Sequence, residues 1–132
     1  MKKTYSILML AGALAWAATR ILRNTHLMDN AILQRLLWVA PNFCAVWVGV
    51  GLTFLLYPRI FKNEFDAKHT VPLVGGLFGV ILLSEIIHHV FLDSAFDIWD
   101  MVASAVASVI VLLVHALHKD KSQHKKVRYI KG

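Results

Sequence analysis

The chain has 132 residues, of which 58% are hydrophobic and 17% are charged, and its formal net charge is +6. A soluble globular domain carries charge on about a quarter of its residues, so this composition argues against one. The single cysteine, Cys44, excludes an intrachain disulfide and a cysteine-based metal site. The basic residues flank apolar segments and form no basic-aromatic pattern, which favours anionic lipids over nucleic acid as partners.

Four apolar segments follow one another along the chain, at residues 4–22, 36–57, 71–92 and 98–117. Each approaches the roughly 20 residues that a helix needs to cross a hydrocarbon core about 30 Å thick. Every backbone polar group needs an internal partner at that depth, so helix is the expected structure. The sequence thus predicts an all-α integral membrane four-helix bundle over residues 1–118, followed by a short basic cytoplasmic tail over residues 119–132.

The first segment has an alternative interpretation as a cleaved secretory signal peptide. Two lysines precede its apolar stretch, and Ala15-Trp16-Ala17 resembles a small-residue cleavage site. However, the apolar stretch continues to Leu22, and the segments that follow supply no obvious soluble domain. We therefore expect a transmembrane helix here.

Lysine and arginine are unequally divided between the two sides of the predicted bundle. Cytoplasmic segments of membrane proteins are enriched in both residues. With the N-terminus inside, the outer segments hold only Arg20, Arg23 and Arg35 of the fourteen. This predicts a multi-pass membrane protein with both termini cytoplasmic and the basic tail at the anionic inner leaflet. The eleven inner residues are Lys2, Lys3, Arg59, Lys62, Lys68, Lys119, Lys121, Lys125, Lys126, Arg128 and Lys131.

Ionisable residues gather near the outer ends of the third and fourth segments. Such residues are costly inside a membrane and usually face a bundle interior or a water-filled cavity. In the third segment Glu85, His88 and His89 are spaced i, i+3 and i+4, so they share one helix face.

The fourth segment repeats this spacing with Asp97 and Asp100, and Ser104 continues the same face. A short loop joins the two segments, so we expect antiparallel neighbours whose polar faces meet at one depth. The second segment begins on the same side of the membrane, and its motif Pro41-Asn42-Phe43 places Asn42 there. The predicted ligand-binding residues are Asn42, Glu85, His88, Asp97, Asp100 and Ser104.

Three interpretations of these residues stay open at this point. They form a hydrogen-bonded staple between helices, with an aspartate capping the fourth helix, or a site for a lipid head group or small ligand, or a metal or acid–base catalytic site. Glu-x-x-His is a known ligand spacing in helical bundles, so a divalent metal is the one cofactor that the pattern suggests. Its predicted ligands are Glu85, His88, His89, Asp97 and Asp100.

Glycines on two segments predict close contacts between helices. Gly75 and Gly79 form a small-xxx-small pair on the third segment, and Gly49 and Gly51 lie on the second. Contacts of this kind join helices within a chain, or join copies of a chain in a homo-oligomer.

Over about residues 36–112 the chain resembles the VanZ-like membrane proteins. The resemblance is carried by Pro41-Asn42-Phe43, Glu85 and the run from Phe96 to Asp100. The resemblance implies a small helical protein of the bacterial envelope, with a link to glycopeptide antibiotic resistance for founding members. Family members tend to follow the acidic pair with Asn and then Gly, whereas Ser104 and Ala107 stand here.

The leading hypothesis is a membrane protein that binds a lipid or a lipid-linked envelope precursor through an outer-leaflet polar pocket, without catalysis. One alternative is an intramembrane metal-dependent or acid–base enzyme that acts on a lipid-linked substrate. Another is a structural or assembly subunit of a membrane complex. A transporter is less favoured, because four short helices leave little room for a pathway unless the protein oligomerises.

Overall fold

The computed structural model describes residues 2–92 and 95–130, excepting the side chains of residues 2, 67 and 119–130. These residues contain no strand and confirm the predicted all-α fold. Its long helices are α1 (Lys2–Leu22), α2 (Ala31–Phe61), α3 (Thr70–Phe91) and α4 (Ile98–Ile130). Within the described residues, these four are long and apolar enough to cross a membrane, which supports a multi-pass membrane protein.

Large apolar side chains cover the outside of the bundle. Phe91 is 78% exposed and Ile32 is 73% exposed, and many other leucine, isoleucine and valine side chains are also exposed. Soluble monomers rarely expose continuous apolar surface on this scale. In a bilayer, hydrocarbon tails would contact these side chains. The exposed surface and the lengths of the apolar helices therefore both indicate a membrane protein.

Helix α2 is longer than the predicted segment 36–57 at both ends. It begins at Ala31 because the Asn30 side chain caps it, accepting hydrogen bonds from Ile32 N at 3.0 Å and Leu33 N at 3.2 Å. It ends at Phe61, followed by Lys62 in a left-handed conformation with φ of 57°. At about 1.5 Å per residue the helix is about 46 Å long, so its ends extend past a hydrocarbon core.

Helix α4 also continues past its predicted end at residue 117. Its backbone is helical to Ile130, through most of the segment that the sequence predicts as a tail. The apolar part suited to a membrane ends at His118. The remaining turns are polar in sequence. The end of the apolar stretch therefore predicts where the membrane-spanning part ends, but it does not predict where the helix ends.

Helix α2 contacts the other three long helices and forms the centre of the bundle. Its closest approach to α1 occurs at Gly51, where an added Cβ atom would lie 2.7 Å from Tyr5 O and would also collide with the Met9 side chain. At Gly12 of α1, an added Cβ atom would lie 3.2 Å from Cys44 O. Glycine at these positions therefore lets the two backbones meet.

The other glycines predicted to make close contacts differ between α2 and α3. An added Cβ atom at Gly49 would meet Leu77 at 3.0 Å, so the prediction of close packing on α2 is confirmed. Gly75 and Gly79 have open space around their Cβ positions, so the predicted close packing through α3 is wrong within the described chain. On α3 the side chain of Glu85, rather than the glycines, contacts the residue that precedes α4.

Aromatic rings fill one end of the bundle, where α1 and α3 begin and α2 ends. We call this the aromatic end and define it by Tyr5, Phe54, Phe65 and His115. Tyr5 stacks on Phe54 with ring centroids 4.0 Å apart, and Phe65 meets Phe54 edge-on at 4.7 Å. The Tyr5 hydroxyl lies 3.3 Å from His115 Nδ1, which links α1 to α4.

Candidate functional site

At the opposite end of the bundle, α1 and α3 end and α2 and α4 begin. We call this the polar end and define it by Asn42, Glu85, Asp97 and Asp100. Asp97 caps α4, because its Oδ1 accepts a hydrogen bond from Trp99 N at 2.9 Å. Glu85 Oε1 in turn accepts from Asp97 N at 3.0 Å. A carboxylate of α3 therefore lies at the positive N-terminus of α4, which stabilises both the contact and the helix start.

Asp100 lies one turn further into the bundle. The Asn42 side chain of α2 is within hydrogen-bonding reach of its carboxyl group, and the charges of Asp97, Glu85 and Arg23 act on it. Its Oδ1 atom is buried and has no hydrogen-bond partner among the described residues. A buried carboxyl oxygen without a donor is costly, so this atom is an acceptor position that remains to be filled.

Arg23, just beyond the end of α1, reaches across to α2. Its Nε and Nη2 atoms donate to Leu37 O at 3.1 and 2.8 Å, and Nη2 also donates to Trp38 O at 3.0 Å. Leu37 O would normally accept from the backbone nitrogen four residues later, but that residue is Pro41, which has no N–H. Arg23 thus supplies the hydrogen bond that the proline removes and brings a positive charge towards Asp100.

A groove of about 700 Å³ opens beside this cluster, between the starts of α2 and α4. Its polar lining comes from Gln34, Arg35 and Asp97, and its aromatic lining from Trp38 and Trp99. The Arg35 guanidinium lies 5.5 Å from the centroid of the Trp99 ring, within range of a cation–π interaction. The groove therefore offers one fixed cation and one carboxylate between two indole rings.

Four of the six predicted ligand-binding residues come together in the structure: Asn42, Glu85, Asp97 and Asp100. Ser104 lies below them but is fully buried, and its hydroxyl donates to Asp100 O at 2.9 Å. Since that hydroxyl is engaged within its own helix, Ser104 supports the Asp100 backbone rather than facing the groove.

The two histidines of α3 take a different position. His88 and His89 are exposed, and the His89 ring lies 6.4 Å from the Phe96 ring in an edge-on arrangement. Across the part of the chain that the structure describes, no three His, Cys, Asp or Glu side chains converge as a metal site would require. The predicted metal ligands Glu85, His88, His89, Asp97 and Asp100 are therefore not gathered into one coordination sphere.

Sequence reasoning missed Arg23 as part of this site. The signal available was Pro41 inside an apolar segment, since a proline at that depth leaves a carbonyl that needs another donor. An arginine at the end of the preceding helix is a suitable donor when the two helices are antiparallel. Arg35 and Trp99 were each visible near a predicted helix end, but their pairing depends on how α2 and α4 rotate.

No family model matches the sequence, and no curated protein or solved structure matches it either. The resemblance to the VanZ-like proteins stays a prediction.

Proposed function

We propose that this chain is a non-enzymatic protein of the bacterial inner membrane that binds a lipid or a lipid-linked envelope precursor at its polar end. The observation that carries the proposal is the groove between α2 and α4, in which Arg35 and Asp97 stand between Trp38 and Trp99. Ligand sites are commonly clefts of about 300–1,000 Å³ with apolar walls and a few convergent polar groups. This groove has that size and that composition.

The side chains suit the polar part of a lipid. The Arg35 guanidinium presents several N–H donors in one plane, which fits a phosphate group. The Asp97 carboxylate fits an amine or hydroxyl donor on the same head group. Tryptophan is enriched at the membrane interface, where its ring contacts acyl chains and its N–H contacts water or head groups. The exposed apolar surface around the groove gives the acyl chains a path into the bilayer.

The buried residues behind the groove would hold its carboxylate in place. Glu85 fixes the Asp97 backbone, and Asp97 fixes the start of α4. Asp100, with its buried Oδ1 atom, would accept a donor from a ligand or an associated water that enters from the groove. In this proposal Asn42 and Arg23 limit the repulsion between the three acids.

We place the polar end at the outer leaflet, with both termini in the cytoplasm, because of the lysine and arginine distribution. Alkaline phosphatase fused after residue 132 should then be inactive, and the same reporter inserted between residues 62 and 66 should also be inactive. Insertion at residue 25 should give activity. Activity of the C-terminal fusion would reverse the proposed orientation while leaving the groove chemistry unchanged.

Native mass spectrometry of the protein with its co-extracted lipids tests the binding proposal. The double variant Asp97→Asn/Asp100→Asn keeps side-chain size and the capping oxygen of residue 97. We expect a lipid species bound to the native chain to be lost, with affinity reduced about tenfold or more, because charge-assisted hydrogen bonds are removed.

The matched control is Asp29→Asn/Asp66→Asn, which neutralises two exposed carboxylates elsewhere and should keep the lipid. Equal retention of the same lipid by the native chain and by Asp97→Asn/Asp100→Asn would contradict the proposal. A change in the sensitivity of an expressing bacterium to a glycopeptide antibiotic, abolished by the same double variant, would extend it to the role that the VanZ-like resemblance implies.

A second candidate function is that of a structural or assembly subunit, favoured by the Glu85–Asp97 hydrogen bond between α3 and α4. In that case the polar end is a staple, and Glu85→Ala, which removes the acceptor for Asp97 N, should lower the melting temperature in detergent without any change in bound lipid, whereas Asp97→Asn/Asp100→Asn leaves this hydrogen bond in place. Loss of lipid at an unchanged melting temperature would favour the binding function instead.

A further inference from the structure

A second cleft lies on the other side of Trp38, between α1 and α2. It has a volume of about 830 Å³, and its lining includes Arg20, Arg23 and Asn24. No carboxylate among the described residues lines it, in contrast to the groove that contains Asp97. The two arginines therefore give this cleft a positive charge that no lining residue neutralises.

The two arginines differ in how they are held. Arg23 is fixed by its bonds to Leu37 O and Trp38 O and by a contact of 4.5 Å with the centroid of the Trp38 ring. Arg20 is exposed in the last turn of α1, and its long side chain can turn towards a group in the cleft. Arg23 thus supplies a positive charge at a fixed position, and Arg20 supplies a second one on a side chain that can move. Both can donate charge-assisted hydrogen bonds to an anionic head group.

An apolar groove of about 430 Å³ lies further towards the middle of the bundle, also between α1 and α2. Trp16 lies one turn before Arg20 on α1, and Pro41 lies one turn after Trp38 on α2, so each helix presents both sites on one face. The remaining lining is apolar and small, with Ala45 as one member. The head-group cleft and the groove therefore follow one another along the same pair of helices.

The cleft and the groove taken together have the length of one membrane leaflet. From Trp38 to Val48 the chain rises about 15 Å along α2. That distance is half of a hydrocarbon core of about 30 Å. The inner end is closed at Gly12, where the two helices touch: an added Cβ atom there would lie 3.3 Å from a Val48 methyl group.

We infer that α1 and α2 form a site for one anionic phospholipid of the bilayer, separate from the polar-end groove. The phosphate lies between Arg20 and Arg23, and one acyl chain runs past Trp16 and Pro41 as far as Gly12. Among the described lining residues the two sites share Trp38, but the phosphate site uses Arg20 and Arg23 whereas the polar-end groove uses Arg35 and Asp97, so either proposal can fail without the other.

Native mass spectrometry with added phosphatidylglycerol, compared with phosphatidylethanolamine of the same acyl chains, tests the site. The native chain should bind one phosphatidylglycerol in preference. Arg20→Gln should weaken that binding about tenfold, because a charge-assisted hydrogen bond is lost. Arg59→Gln makes the same charge change at the other end of α2 and should leave it unaltered.

The acyl groove has its own pair of variants. Ala13→Trp fills the groove from α1 and should abolish retention of phosphatidylglycerol, whereas Ala11→Trp, also exposed on α1 but outside the groove, should not. Unchanged binding in both Arg20→Gln and Ala13→Trp would overturn the inference.

Three further results would also overturn it. One is equal weakening by Arg20→Gln and Arg59→Gln, which would indicate an effect of net charge alone. Another is equal retention of both lipids by the native chain. The third is loss of phosphatidylglycerol in Arg35→Gln but not in Arg20→Gln, which would place that lipid in the polar-end groove and would leave the proposed function intact.

Discussion

The two ends of the bundle are held together by different kinds of contact. At the polar end, carboxylates, an amide and a guanidinium join α1, α2, α3 and α4, and Asp100 Oδ1 remains without a partner among the described residues. At the aromatic end, stacked rings and the contact between Tyr5 and His115 join α1, α2 and α4 without a charged side-chain pair in the described contacts.

This difference indicates where binding and where stability reside. Charged groups in a low-dielectric region are costly unless they are paired, so a cluster with an open acceptor gains stability when a ligand supplies the missing donor. Stacked rings are satisfied by each other and gain little from an added molecule. We therefore expect variants at the polar end to change binding, and also stability where a cap or a donor is lost, and variants at the aromatic end to change stability alone.

The largest effect should follow the loss of Arg23. Arg23→Met keeps an apolar stem but removes the donors to Leu37 O and Trp38 O and the charge near Asp100. We expect a loss of about 2–3 kcal/mol in the free energy of unfolding, because the partly buried Leu37 O loses its donor and the positive charge that acts on Asp100 is removed. Thermal unfolding in detergent measures this loss.

The proline explains this effect and supplies its control. Pro41→Ala restores the N–H that Leu37 O lacks, so Arg23→Met should cost less in a Pro41→Ala background than in the native chain. Arg20→Met changes an exposed arginine at the end of the same helix and should have little effect on unfolding. Equal losses in the two backgrounds would mean that Arg23 does not replace the missing hydrogen bond.

The second largest effect belongs to the helix contact next to the aromatic end. Gly51→Ala places a methyl group against Tyr5 O and Met9, and α1 must move away from α2. We expect a loss of about 1–3 kcal/mol, the usual cost of overpacking. Gly79→Ala on α3 adds the same methyl group in open space and should not destabilise the fold. A loss of stability in Gly79→Ala would reveal a partner on that face of α3.

A smaller effect should follow removal of the cap at the polar end. Asp97→Ala deletes the acceptor for Trp99 N and should lower the free energy of unfolding by about 1 kcal/mol. Asn is also a favoured capping residue, so Asp97→Asn should be close to the native stability while still weakening lipid binding. If both variants lose the same stability, the charge of Asp97 matters more than its cap.

The sequence was sufficient for the four helices because each contains enough apolar residues to be visible without any tertiary information. Their ends were harder to predict. Asn30 begins α2 before the apolar stretch starts, and the polar turns after His118 continue α4 after it stops. Capping and intrinsic helix propensity decide these boundaries, whereas hydropathy reports only the part that suits the hydrocarbon.

The polar cluster was predictable in part for a similar reason. Glu85, Asp97 and Asp100 stood out because ionisable groups are rare at that depth. His88 was also expected in the cluster because it lies three residues after Glu85 on α3. Residues at this spacing are offset around the helix, so one can be buried and the other not, and the structure shows His88 exposed. Arg23 was not predictable from spacing, because its role depends on the contact between α1 and α2 and on the carbonyl that Pro41 leaves free.

The smallest effect should come from the hydroxyl group at the aromatic end. Tyr5→Phe keeps the stack on Phe54 at 4.0 Å and removes only the contact with His115 Nδ1. We expect a loss of about 0.5 kcal/mol in the free energy of unfolding, the low end of the net value of one hydrogen bond because the contact is 3.3 Å long, and no change in bound lipid. Tyr5→Leu also removes the ring and should cost more. A change of lipid occupancy in Tyr5→Phe would show that the two ends are coupled through α1, and the division between a binding end and a stabilising end would then fail.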